Sequence, residues 1–115
     1  MTNLIAGISD LLKGKTISSD WASDPWEIVV RGEPGNNHAY VSVQSLGNNW
    51  IAMHNVCVPL DRFCRELVDL EKRLLKYLDK TYPEETMDPV RGQYFRNMLT
   101  ILDEQEKLLL KYERR

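Results

Sequence analysis

The period of the hydrophobic pattern changes at Pro59, and this change constrains the fold more than any other feature of the chain. Before Pro59, three short runs alternate between two sets of side chains, as strands do. After Pro59, apolar residues recur three and four positions apart, as in amphipathic helices. Proline lacks the N–H group that continues a strand ladder, so it marks the boundary. The pattern predicts an antiparallel sheet followed by helices, an α+β domain.

Turn-forming clusters separate the three strand-like runs. The runs are 26–31, 38–44 and 50–58. The connections GEPGNN and LGNN are rich in glycine and asparagine, which tolerate the positive φ of tight turns. We therefore expect a three-stranded antiparallel meander. The preceding residues 15–25 are mostly polar, and we expect them to form a loop.

Helices are predicted on both sides of the meander. A short N-terminal helix ends at Gly14, and a long helix runs from Asp61, its expected N-cap, to about Lys80. Asp88 is the expected N-cap of the last helix, because a proline follows it. The short connection between the two long helices makes them antiparallel neighbours. The complete prediction is one α+β domain over 1–115, with a short N-terminal helix, a three-stranded antiparallel meander and a C-terminal antiparallel helical hairpin.

Composition indicates a soluble globular protein. Of the 115 residues, 43% are hydrophobic and 28% are charged, with a net charge of -2. This charge gives no general attraction to nucleic acid or to an anionic membrane. The N-terminal segment lacks the long apolar run of a signal peptide or membrane span. Two cysteines do not make a disulfide framework. We interpret the chain as a cytoplasmic protein that does not associate with membranes.

The segment NNWIAMHNVCVPLDRFC contains one of the two histidines and both cysteines. Alternation along a regular strand places His54 with Val56 on one face and Cys57 with Met53 on the other. His54 and Cys57 could then share a metal ion only if the strand contained a bulge. Zinc sites also require about four ligands with paired spacing, which this sequence lacks. We interpret Cys57 and Cys64 as small buried hydrophobic residues, and we predict no metal and no cofactor.

No common catalytic motif is present. The chain has no Gly-x-Ser-x-Gly sequence, no phosphate-binding glycine loop and no His-Glu-x-x-His sequence. A thiol enzyme would need a base beside Cys57 or Cys64, and the predicted strand turns His54 away from Cys57. We therefore expect a protein without catalytic activity.

Two features near the sheet could bind a partner. Trp21 lies in a polar segment, and tryptophan is favoured at the energetic centres of protein interfaces. It could equally fold back over the sheet edge. His38 and Tyr40 share the polar face of the second strand, which is exposed if the helices cover the other face. We predict that Trp21, His38 and Tyr40 contact a partner protein.

The polar side of the first long helix is moderately basic. Four of its residues are candidate contacts for a partner: Arg65, Lys72, Arg73 and Lys76. Such a stripe could bind an acidic protein, a nucleic acid or a phosphorylated ligand, although a charged run more commonly faces solvent. The N-terminal part of the chain is acidic, so the charge distribution is polarised, which favours oriented docking.

The last helix carries more apolar surface than one contact needs. We hypothesise that it mediates self-association to a homodimer through Phe95, Leu102, Leu109 and Leu110.

Taken together, these features predict a small non-catalytic protein-interaction module that acts by stoichiometric binding. An inhibitor, an immunity or anti-defence factor, an adaptor and a chaperone are proteins of this kind. The alternative is a binder of nucleic acid or of a phosphorylated small ligand that uses the basic stripe. A small thiol enzyme is the third hypothesis.

Overall fold

A computed structural model of the chain describes residues 5–20, 26–45 and 51–114. The fold is α+β with an antiparallel sheet, as predicted. In chain order the elements are α1 (Ile8–Leu11), β1 (Thr16–Asp20), β2 (Trp26–Glu33), a 3-10 turn (Pro34–Asn36), β3 (His38–Ser45), β4 (Ile51–Pro59), α2 (Leu60–Thr81), α3 (Pro83–Met87) and α4 (Gln93–Glu113).

The sheet has four strands, so the prediction of three was wrong. The strand order is β1-β2-β3-β4, and all neighbours are antiparallel. The additional strand, β1, lies in the segment that we expected to be a loop. Its sequence TISSD contains a single apolar residue, Ile17, which pairs with Val30 of β2. A short edge strand needs backbone pairing on only one side, and a weak side-chain pattern is enough for it.

The helices form one layer on one face of the sheet. Helix α1 contacts β1 and β2, α2 contacts β3 and β4, and α4 lies between α1 and α2. We call the covered side the inner face of the sheet. The buried apolar side chains are Ile5, Ile8, Leu11, Val30, Ala39, Val41, Leu60, Cys64, Leu67, Val68, Leu75, Met98, Leu102, Leu109 and Tyr112.

Two close contacts hold α1 in place. A Cβ atom at Gly32 of β2 would lie 2.1 Å from the Leu11 carbonyl oxygen, so only glycine permits this approach of helix to strand. The Ser9 backbone N–H donates to Gln105 Oε1 at 2.9 Å. Gln105 occupies a buried position of α4 where the apolar pattern favours leucine. It therefore satisfies an N–H group that helix α1 itself leaves unpaired.

Asn37 caps helix α2 from a distance, so the prediction of Asp61 as N-cap was wrong. The residue before the helix is Pro59, which makes no side-chain cap. The Leu60 N–H donates to the Asn37 carbonyl oxygen at 2.9 Å, and the Asp61 N–H donates to Asn37 Oδ1 at 3.1 Å. Asn37 Nδ2 donates in return to Asp61 Oδ1 at 3.1 Å, and Asn37 Oδ1 lies 3.0 Å from the Tyr112 hydroxyl. The Asn37 side chain, in the turn before β3, thus joins α2 to α4.

The connection between the long helices contains a short helix, α3. Asp88 Oδ1 accepts hydrogen bonds from the backbone N–H groups of Val90 and Arg91, and these bonds lower the pKa of Asp88. Asp88 therefore caps a turn, and α4 begins only at Gln93, later than predicted. Arg65, near the start of α2, pairs with Glu113 at the end of α4. Lys72, about two turns later in α2, pairs with Glu106, about two turns earlier in α4, so the two helices are antiparallel.

Candidate protein-binding surface

The outer face of the sheet faces away from the helix layer. The inner-face residues Val30, Ala39 and Val41 are buried beneath the helices. Apart from Ser42, the outer-face residues whose side chains are described are half-buried or exposed. By strand register the described side chains of the outer face are those of Thr16, Ser18, Glu27, Val29, Arg31, Glu33, His38, Tyr40, Ser42, Gln44, Ile51, Cys57 and Pro59.

Three aromatic and basic side chains form a cluster on this face, which we call the Tyr40 cluster: Arg31, His38 and Tyr40. The Arg31 guanidinium lies 4.2 Å from the centre of the Tyr40 ring, within the range of a cation–π contact. The His38 and Tyr40 rings meet edge to face, with centroids 6.0 Å apart, and the Tyr40 hydroxyl lies 3.4 Å from His38 Nδ1. Register explains the contacts, because Arg31 is directly opposite Tyr40. Each side chain therefore restricts its neighbours.

Glu33 places a negative charge beside the Tyr40 cluster. Arg31 Nη1 lies 3.5 Å from Glu33 Oε2, and the Asn36 side-chain amide donates to Glu33 Oε1. The hydrogen bond from Asn36, and then the bond from Arg31, lower the pKa of Glu33. Desolvation raises the pKa of Tyr40 further above neutral pH, and its hydroxyl is a hydrogen-bond donor there as it is in an ordinary tyrosine. Together with Glu33, the cluster thus presents a cation, a neutral phenol and a carboxylate side by side.

Strand β4 forms one edge of the sheet, opposite to β1, and is irregular at its centre. Val41 pairs with Val56 and Val43 with Met53, so two residues of β4 lie opposite Ser42. Asn55 has φ 46°, and its N–H donates to Ser42 Oγ at 2.9 Å. This arrangement is a β-bulge.

The bulge changes the predicted face assignment. Because Met53 and Val56 pair with inner-face residues of β3, they share one face, whereas regular alternation separates them. The prediction that Met53 lies with Cys57 was therefore wrong. The argument that alternation separates His54 from Cys57 also fails, since it assumed a strand without a bulge. Across the described ranges, no group of three or more His, Cys, Asp or Glu residues could hold a metal ion.

The two cysteines differ in environment. Cys64 is buried on α2, and burial raises the pKa of its thiol to about 12, so it remains protonated at neutral pH. Cys57 is exposed on β4, opposite Tyr40, and the prediction that it is buried was wrong. Cys64 therefore fits the predicted role of a small core residue, and only Cys57 is accessible to a reagent in solvent.

Carboxylates of α4 neutralise part of the basic stripe on α2. Arg65 binds Glu106 at 3.1 Å and also pairs with Glu113, and Lys72 pairs with Glu106. The hydrogen bond from Lys72, and then the bond from Arg65, lower the pKa of Glu106. The stripe therefore contributes to the contact between the two helices. Arg73 and Lys76 are exposed beside a shallow groove of about 510 Å³ that Asp69 and Lys72 also line.

The predicted contact residues thus lie in different environments. His38 and Tyr40 come together on the outer face, while Trp21 lies outside the described residues. On α4, Leu102 and Leu109 are buried in the core of the chain, Phe95 is half-buried, and Leu110 is 41% exposed. Because Leu102 and Leu109 are covered within one chain, they cannot form a contact between copies.

Three important side chains were missed at the sequence level: Arg31, Asn37 and Glu71. Arg31 could have been found, since it belongs to the same strand face as Glu27 and to the meander that carries Tyr40. Glu71 is 3% exposed on α2, and one of its carboxylate oxygens has no hydrogen-bond partner among the described residues. The apolar spacing gave a signal, because Glu71 lies four positions from both Leu67 and Leu75.

A separate groove of about 320 Å³ lies between α1 and α4. Its lining is mostly apolar and includes Leu12, Leu108 and Lys111. It is not part of the outer face.

Comparison with known proteins identifies no relative: no protein-family model, no curated protein and no solved structure matches this chain. Within the described residues, every helix is too short or too polar to cross a membrane. The function must therefore be argued from the surface itself.

Proposed function

We propose that this chain is a non-catalytic protein-interaction module that acts by stoichiometric binding, as an inhibitor, immunity factor, adaptor or chaperone does. The proposed contact surface is the outer face of the sheet, with the Tyr40 cluster at its centre. The observation that carries the proposal is that the face opposite the helix layer presents an ordered group of tyrosine, arginine and histidine.

The chemistry of this group supports protein binding. Tyrosine and arginine are enriched at the energetic centres of protein interfaces because they combine large contact area with directed hydrogen bonds. The contacts between Arg31, Tyr40 and His38 restrict their rotamers before binding, which lowers the entropy lost on association. Gln44 and Glu27, hydrogen-bonded across the strands at 2.9 Å, extend the surface with polar groups.

The alternative, nucleic-acid or phosphate binding by α2, has less support. Its four proposed residues include Arg65 and Lys72, whose charges face carboxylates of α4. Only Arg73 and Lys76 remain as exposed cations of that set without an ion pair among the described residues. Two cations make a weak electrostatic site, since phosphate binding strengthens with the number of neutralising contacts.

The experiment is affinity capture from cells of the source organism, followed by reconstitution with the purified partner. Tagged wild-type protein is compared with Tyr40→Ala and with the control Tyr82→Ala, whose side chain is 52% exposed on the connection after α2. We expect Tyr40→Ala to weaken binding about 30-fold, as loss of a central interface residue does, and Tyr82→Ala to change it little. Calorimetry gives the affinity and the stoichiometry, and thermal melts verify that both variants fold.

Two results would contradict the proposal. One is a partner that binds Tyr40→Ala as tightly as wild type but does not bind the double variant Arg73→Glu/Lys76→Glu. The affinity of that partner for wild type would also fall steeply as the salt concentration rises. That result would favour the nucleic-acid or phosphate hypothesis. The other is multiple turnover of a substrate that depends on Cys57, which would favour the thiol-enzyme hypothesis.

A further inference from the structure

The side of α2 that faces away from α4 is apolar and exposed. Residues that contact α4, such as Arg65 and Lys72, lie on the opposite side of the helix. Leu70, Leu74 and Tyr77 are 43%, 42% and 59% exposed. We call the row to which they belong the apolar seam; its members are Phe63, Leu67, Leu70, Leu74 and Tyr77, of which Phe63 is half-buried and Leu67 is buried against the core of its own chain.

The seam lies at the open edge of the whole molecule. Helix α2 is the last helix of its layer and contacts β3 and β4, and β4 is the last strand of the sheet. The inner-face side chains Met53 and Val56 of β4 are 40% and 41% exposed. Both layers therefore end on the same side with apolar side chains in solvent.

The spacing of the seam is that of a coiled coil. Its residues are separated by four, three, four and three positions, the alternation by which one helix packs against another in a heptad repeat. Two exposed residues beside the seam, Glu66 and Arg73, have opposite charges and lie four positions before and three positions after Leu70. In an antiparallel pair of identical helices centred near Leu70, Glu66 of each copy would face Arg73 of the other.

We propose that the apolar seam binds a second copy of this chain, with the two α2 helices antiparallel about a twofold axis near Leu70. A twofold axis repeats each contact, so Phe63 faces Tyr77 twice, and Leu70 and Leu74 of both copies lie between these outer contacts. The interface lies on a different surface from the Tyr40 cluster and does not depend on the proposed function. It replaces α4 as the surface for self-association.

The first test measures mass by sedimentation over a range of concentrations. Wild type is expected to reach twice 13.4 kDa. We expect Leu74→Glu to raise the dimer dissociation constant about 100-fold, because it places a charge in a desolvated apolar seam. Leu110→Glu is the matched control, since Leu110 is 41% exposed on α4 and Leu74 is 42% exposed. Circular dichroism verifies that both variants fold.

The second test uses charge reversal. Glu66→Arg and Arg73→Glu each create two repulsions in a homodimer, and each variant alone is expected to dissociate more readily. Mixed together, one copy carries two arginines and the other two glutamates, so the heterodimer regains both attractive pairs. Native mass spectrometry of the mixture should show heterodimers in excess over the statistical share.

Three outcomes would overturn the inference. They are a wild-type protein that remains monomeric at the highest concentrations, a dimer that Leu110→Glu disrupts and Leu74→Glu does not, and a charge-reversal mixture with only the statistical share of heterodimers. The last outcome is informative even if Leu74→Glu fails to fold.

Discussion

The two sides of helix α2 differ in whether another part of the chain covers them. The side facing α4 is largely charged, and it is covered because Glu106 and Glu113 meet Arg65 and Lys72. On the opposite side, the seam residues Leu70, Leu74 and Tyr77 are uncovered. Sequence reasoning assigns the charged side to solvent or a partner and the apolar rows to the interior. The difference teaches that exposure along an amphipathic helix depends on which neighbours the chain supplies, as well as on residue polarity.

Asn37 fixes the start of α2 for both sides, and its replacement should have the largest effect. Asn37 has φ 54°, a left-handed conformation that disfavours alanine, and its side chain makes three hydrogen bonds. We expect Asn37→Ala to lower the free energy of unfolding by about 3 kcal/mol. Asn37→Gly keeps the backbone conformation and should cost about 2 kcal/mol. Urea denaturation measures both, and equal decreases would show that the backbone conformation contributes nothing.

Glu71 lies between the two sides of α2, and replacing it should stabilise the protein. Burial raises the pKa of this carboxyl above the ordinary value of 4.5, so its ionised form is disfavoured in the fold at neutral pH. We expect Glu71→Met to raise the free energy of unfolding by about 2 kcal/mol at neutral pH. The gain should shrink below pH 4.5, where the carboxyl is protonated in both states. Urea unfolding of wild type and Glu71→Met at neutral pH and below pH 4.5 measures both effects. A lower free energy of unfolding for Glu71→Met at neutral pH would contradict the prediction.

Glu106 closes the α4 side of α2, and its effect should be the smallest. Its pKa is lowered below 4.5, so its contribution is complete above that value and disappears as the pH falls through the lowered pKa. The ion pairs are partly exposed, so we expect Glu106→Gln to cost only about 0.5–1 kcal/mol at neutral pH.

The matched control for Glu106→Gln is Asp103→Asn. Asp103 pairs with Lys107 within α4 at 3.0 Å and does not reach α2. Urea denaturation at neutral and acidic pH should show a destabilisation by Glu106→Gln that disappears in acid. If Asp103→Asn produced the same destabilisation, the loss of stability in Glu106→Gln could not be attributed to the ion pairs between α2 and α4.

The spacing of apolar residues and the turn-forming residues predicted the elements whose formation depends on neighbouring residues in the sequence. The long helix was expected from Asp61 to about Lys80 and extends over Leu60–Thr81, because its apolar spacing is unbroken. Three strands followed from alternation and turn residues. Strand β1 could not be recognised, because its pairing with β2 is stabilised by backbone hydrogen bonds that its polar side chains do not reveal.

The candidate site was only partly predictable for a similar reason. Alternation placed His38 and Tyr40 on one face, but the contact with Arg31 depends on the register between β2 and β3. The bulge at Asn55 depends on a hydrogen bond to Ser42 of the neighbouring strand. Asn37 caps a helix whose first turn is 24 residues away in sequence, so no local motif could show it. Long-range partners decided each of these features.

The hydrogen bond from Ser9 to Gln105 has a consequence for the order of folding. Each strand of the sheet pairs with the next along the chain, so the sheet can grow by successive hairpins, each closing a short loop. Ser9 and Gln105 are 96 residues apart, and this hydrogen bond needs both the sheet and the helical hairpin in place. We expect α1 to dock on α4 late in folding, and we expect the same two helices to separate first when the protein begins to open.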